Sequence, residues 1–124
     1  MAKIVCHTEL RVYKLSFELA MEIYELTKTF PREEMYSLTD QIRRSSRSVS
    51  GNIAEAWRKR RYPKSFVAKL SDSDGEAAET QVWLEYAFRC NYISQELFNE
   101  LNTKYNHLLG MLVTMMINPD KWSL

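Results

Sequence analysis

A chain of 124 residues with three Gly, three Pro and a net charge of +1 is long enough for one domain with its own core and too poor in breakers for a loop-rich scaffold. Cys6 and Cys90 lie far apart without CxxC or Cys/His ligand spacing, which points to reduced thiols and away from a disulfide framework or a metal centre. No stretch approaches the roughly 20 apolar residues that cross a bilayer, and the N-terminus lacks the basic and apolar runs of a secretion signal, so the expected location is the cytoplasm, with no membrane partner.

Thr8 or Glu9 can cap a first helix over about 9–30, which Pro31 closes because proline disfavours helical geometry in its predecessor. Val12, Leu15, Leu19, Ile23, Leu26 and Phe30 recur at three- and four-residue intervals on one face, and Tyr13, Phe17, Met21 and Tyr24 trace another. A second helix is predicted over about 33–61, with Leu38, Ile42, Val49, Ile53 and Ala56 inward. Its middle, Ser45 to Gly51, has poor helix propensity, yet the apolar period runs unbroken on both sides. The segment therefore reads as a tight helix contact in which small side chains let a neighbouring backbone approach.

Tyr62 and Pro63 mark the next break, and Pro63 suits the first position of a third helix over about 63–92. Phe66, Leu70, Ala77, Leu84 and Phe88 form one face of it, while Ala78, Val82 and Tyr86 form a second. Ser94 is the expected N-cap of a fourth helix over about 95–117, whose stripe is Leu97, Leu101, Tyr105, Leu108, Leu112 and Met115; Asn118 and Pro119 end it. Short connections force antiparallel neighbours. The prediction is an all-α, up-down-up-down antiparallel four-helix bundle in a single domain over 1–124.

One bundle core cannot cover two apolar faces on the same helix, and surplus apolar surface of this kind predicts association. The expected interface between copies comprises Tyr13, Phe17, Met21 and Tyr24 from the first helix and Ala78, Val82 and Tyr86 from the third. Gly51 and Ala54 on the outward side of the second helix add a groove of small residues.

The small net charge conceals segregation: residues 41–70 hold nine Lys or Arg against Glu55 alone, and residues 71–100 hold seven acids against Arg89 alone. Arg43, Arg44 and Arg47, with the corner run Arg58, Lys59, Arg60, Arg61 and Lys64, form the candidate nucleic-acid surface, where each phosphate contact adds salt-sensitive affinity with little sequence information. A solvated helix end, or ion pairs to acids on a neighbour, accounts for the same residues, and arginines buried between copies would take Asp72, Asp74, Glu76 and Glu79 as partners. Asn52 and Glu55 are placed to pair with Ser73, Asp74, Thr80 or Gln81.

Nothing in the chain resembles a phosphate-binding Gly-rich loop, a nucleophile elbow or a zinc finger, and His7 and His107 stand alone. The expectation is a protein with no catalytic residues, no metal and no cofactor. Trp57, Trp83 and Trp122 fit packing or interface anchoring.

Val12-Tyr13-Lys14-Leu15, Leu38-Thr39-Asp40-Gln41-Ile42-Arg43-Arg44-Ser45, Ser50-Gly51-Asn52-Ile53-Ala54-Glu55 and Glu79-Thr80-Gln81-Val82-Trp83-Leu84 together resemble the four-helix-bundle family of 23S ribosomal RNA intervening-sequence proteins. That family is similar in turn to the accessory variability determinant of diversity-generating retroelements, a pentameric barrel that binds a reverse transcriptase and nucleic acid. The resemblance implies a homopentamer, with a reverse transcriptase and RNA or DNA as further partners.

Overall fold

The computed structural model describes residues 3–123. Among them are four α-helices, three short 3-10 turns and no strand. α1 spans Arg11–Thr27, α2 Leu38–Arg58, α3 Pro63–Arg89 and α4 Gln95–Ile117. Each helix packs on its neighbours in sequence, and α4 closes back on α1. This is the antiparallel four-helix bundle that short connections dictate, with α1 and α3 at opposite corners.

Side-chain capping sets several helix ends inside the predicted ones. The Glu9 carboxylate accepts the Val5 and Cys6 amides at 2.8 Å each, closing a 3-10 turn at His7–Glu9, so α1 begins at Arg11. Glu34 accepts the Ser37 hydroxyl at 2.6 Å and the Leu38 amide at 3.4 Å, so α2 begins at Leu38 and not near Glu33. α3 stops at Arg89 because Asn91 turns left-handed at φ 64°, while the amide of Tyr92 reaches back to Ala87 O at 2.8 Å and that of Asn91 to Phe88 O at 2.9 Å. Those paired bonds satisfy carbonyls that the helix end would leave orphaned. α4 has the predicted limits, and the Ser94 hydroxyl accepts the Leu97 amide at 3.1 Å.

The core runs along Val12, Leu19 and Ile23 of α1, Ile42, Val49 and Ile53 of α2, Leu70, Ala77 and Leu84 of α3, and Leu101, Tyr105, Leu108 and Leu112 of α4, all buried. Ser45, Ser46 and Ser50 are buried too, within one unbroken α2. Ser50 shares a hydrogen bond with Ser16 at 3.0 Å and Ser45 with Thr80 at 2.8 Å, while Ser73 donates to Val49 O at 2.9 Å. Small hydroxyls let α2 approach both α1 and α3, and tertiary contacts offset its weak helix propensity.

Candidate subunit interface and basic surface

The second stripes of α1 and α3 lie outside the core. Phe17 is 49% exposed and Met21 47%; on α3, Val82 is 48% exposed and Tyr86 56%. Tyr13 and Tyr24 are half-buried, Tyr13 against the His7 ring at 4.8 Å and Tyr24 beside the α2 arginines, and Ala78 is exposed. Gly51 is exposed, Ala54 is half-buried, and a Cβ built on Gly51 would meet nothing within 4 Å. The same holds for Gly75, on the outward face of α3. A mid-helix glycine costs about 0.5–1 kcal/mol relative to alanine, and nothing inside the protomer requires it at either position.

Arginines flank the α1 stripe. The Tyr24 ring is faced by Lys28 Nζ at 4.8 Å, Arg43 Cζ at 4.9 Å and Arg47 Cζ at 5.7 Å. Arg43 is held there by donating from Nε to Thr27 Oγ1 at 2.7 Å, and Thr27 in turn donates to Tyr24 O at 2.9 Å. Arg44 donates to Gln41 Oε1 at 2.9 Å. Arg43, Arg44 and Arg47 line a surface pocket of about 490 Å³ with Met35, Thr39, Asp40 and Ser48.

The basic candidates divide into two groups, since Arg47 and Arg58 are separated by about three helical turns. At the far end Arg58, Lys59, Arg61 and Lys64 are exposed. Arg60 behaves differently: its Nε donates to Trp57 O at 2.7 Å, and its guanidinium stacks 3.4 Å over the indole. Burial there lowers its pKa, with a smaller push from the Arg58 charge. Its planar group covers Trp57, and its Nε is taken by the backbone.

Polar pairing within the chain departs from the expected one at Asn52 and Glu55. Among the described residues no α2 arginine comes within 4 Å of Asp72, Asp74, Glu76 or Glu79; Lys69 instead holds Glu55 at 2.7 Å and Asp72 at 3.7 Å. Glu55 is exposed, and its carboxyl is held below the usual range, chiefly by the Lys69 hydrogen bond. Asn52 donates to Ser48 O on its own helix. Ser73 and Thr80 are satisfied by Val49 O and Ser45, and Gln81 reaches Asn106 at 2.8 Å, so these three pair elsewhere than with Asn52 or Glu55. Glu76 keeps a buried, unpartnered carboxylate oxygen, and burial first, then the Glu79 charge, raises its pKa.

The sequence reading missed an open seam between α1 and α4. A groove of about 870 Å³ runs along it, with Leu15, Leu26 and Leu97 in its wall and Glu18, Glu22 and Glu25 on its rim. Leu15 and Leu26 are only half-buried because they face this groove. Its signal was the acids spaced by three and four residues beside the core stripe. Lys104 crosses it, 3.1 Å from Glu22 and 3.5 Å from Glu100.

Cys6 and Cys90 are free and exposed. Among the described residues no cluster of His, Cys, Asp and Glu could hold a metal ion, and no helix is long and apolar enough to cross a membrane.

The family model described as 23S rRNA-intervening sequence protein matches residues 8–114. The chain is also similar to a solved structure described as a protein with unknown function from the S23 ribosomal protein family of Bacteroides thetaiotaomicron, at 30% identity and a TM-score of 0.78, covering 86% of this chain and 96% of that one. No curated protein matches the chain.

Proposed function

Because the chain belongs to the 23S rRNA-intervening sequence protein family, we propose that it works as a non-enzymatic homo-oligomeric scaffold or accessory protein of the cytoplasm, assembled as a homopentamer. The observation that carries this reading is the exposure of Phe17, Met21, Val82 and Tyr86 on a bundle whose core is already closed without them. Large apolar groups gathered on two helix faces bury favourably only against another surface, at about 25 cal/mol per Å². Light scattering tests the reading directly: the expected mass is a multiple of the 14.7 kDa chain, and a single-chain mass at micromolar concentration overturns it.

A second reading is that of an RNA- or DNA-binding accessory factor that works beside a reverse transcriptase. Arg58, Lys59, Arg61 and Lys64 favour it, because they are exposed and none has a carboxylate within 4 Å among the described residues. Repetition around a ring would convert such weak patches into avid binding. Titration with generic RNA tests it: affinity should fall steeply with salt, with a shallower slope in an Arg58→Ala, Arg61→Ala variant, and no binding at low salt removes it.

A further inference from the structure

We infer that the pocket beside the start of α2 is a binding site for a phosphomonoester, separate from the basic corner about three helical turns away. All of its residues come from one chain.

α2 builds the site from two adjacent rows of side chains four residues apart. Thr39, Arg43 and Arg47 form one row; Asp40, Arg44 and Ser48 form the other, and Met35 borders the same space of about 490 Å³. Three guanidinium groups within about two turns of one helix repel one another, and the protein sets no counter-charge against them. Among the described residues no carboxylate lies within 4 Å of any of the three. Asp40 stands in the same wall without pairing, and Glu76 on α3 feels the Arg44 charge from beyond ion-pair reach.

Two of the arginines are already positioned for a ligand. Arg43 is fixed by Thr27 Oγ1 at 2.7 Å and by the Tyr24 ring at 4.9 Å, and Arg44 by Gln41 Oε1 at 2.9 Å. Each keeps N–H donors in reserve, and Arg47 makes no hydrogen bond among the described residues.

Thr39 is the independent sign that something polar belongs there. Only 6% of the residue is exposed, yet its hydroxyl has no hydrogen-bond partner among the described residues and is not sealed in by protein, so it opens on the pocket. The other buried hydroxyls of α2, those of Ser45, Ser46 and Ser50, are all bonded.

Charge and donor count select the ligand class. A phosphomonoester carries about −1.5 to −2 charge at pH 7 and three acceptor oxygens, which suit three guanidinium groups set against Asp40 alone. A carboxylate, or a phosphodiester inside a chain, brings a single charge and would leave an arginine unmatched. The space exceeds a phosphate group, and Met35 offers an apolar wall to the organic part that carries it. A free sugar phosphate and the 5′-phosphate end of an RNA chain present the same group.

Calorimetric titration of the full chain with ribose 5-phosphate, and with a short oligoribonucleotide bearing either a 5′-phosphate or a 5′-hydroxyl, tests the site. Ribose 5-phosphate should bind saturably at millimolar concentration or below, and ribose should not. Arg44→Gln and Arg47→Gln should each weaken binding about tenfold. Thr39→Val should weaken it about threefold, while Thr39→Ser, which keeps the hydroxyl, and Arg61→Gln, in the distant corner, should leave it unchanged. The oligoribonucleotides are compared in an Arg58→Ala, Arg61→Ala background. Tighter binding of the 5′-phosphorylated one supports the site with a chain end as its ligand; equal binding of the two, with ribose 5-phosphate still bound, supports it with a free phosphorylated ligand. Arg44 and Arg47 are exposed, so circular dichroism should show both glutamine variants fully helical. Should either unfold, Thr39→Val against Thr39→Ser decides. Failure of both phosphorylated probes to bind, binding of ribose as tight as that of its phosphate, or an affinity that folded arginine variants leave unchanged overturns the proposal.

Discussion

The seam along α2 and the outer edge of α3 invert the usual placement of polar and apolar groups. Along the seam, hydroxyls of Ser16, Ser45, Ser50, Ser73 and Thr80 are buried, and every one has a hydrogen-bond partner. Along the edge, Val82 and Tyr86 stand in the open. Buried hydroxyls are tolerated because each is satisfied, and their small size draws the helices together. Exposed apolar groups contribute nothing to that closed unit. The comparison teaches that the groups that close the bundle and the apolar groups it leaves in the open reside on different faces of the same helices.

Leu84→Ala and Val82→Glu, two residues apart on α3, should break this comparison most sharply if it is wrong. Leu84 is fully buried, so its truncation should cost about 2–5 kcal/mol in denaturant unfolding. Val82→Glu should keep a cooperative melt and full helicity while the mass falls. A smaller effect follows inside the seam: Ser45→Leu forces a larger side chain between α2 and α3 and should cost about 1–3 kcal/mol. Gly75→Ala should stabilise an isolated protomer by about 0.5–1 kcal/mol, since its Cβ meets nothing, yet weaken association read by sedimentation.

The smallest effect concerns the turn before α2. Glu34 has its carboxyl held below the usual range, first by the Ser37 hydroxyl and then by the Tyr92 hydroxyl at 2.7 Å. Its contribution to stability is present above the ordinary carboxylate pKa and is lost as pH falls through the lowered value. The same bond raises Tyr92 to about 12, so that group's contribution is present below pH 10 and lost as pH rises through about 12. Glu34→Gln should flatten both limbs of the melting temperature plotted against pH, and an unchanged profile would remove Glu34 from the account.

Periodicity made the bundle legible, because Ile42, Val49, Ile53, Leu70, Leu84, Leu101, Leu108 and Leu112 recur at helical spacing and all are buried. Ser94 and Pro119 fixed α4 because their effects are local. The α2 start was not legible, since Glu34 reads as a helix residue until its contacts with Leu38 and Tyr92, the latter far along the chain, are known. Polar pairing was least legible: Lys69 could meet several acids, and helix rotation decides that it takes Glu55. The outward stripes were legible as surplus, because one bundle core takes a single face of each helix.

Where Ser45 meets Thr80 and Ser73 meets Val49 O, α2 and α3 are laced by hydroxyls that pair in one register alone. Two helices joined by hydrocarbon could slide or roll by a fraction of a turn at little cost, whereas the same slip here would strand a dry hydroxyl without a partner, so the lacing acts as an alignment key for the whole bundle.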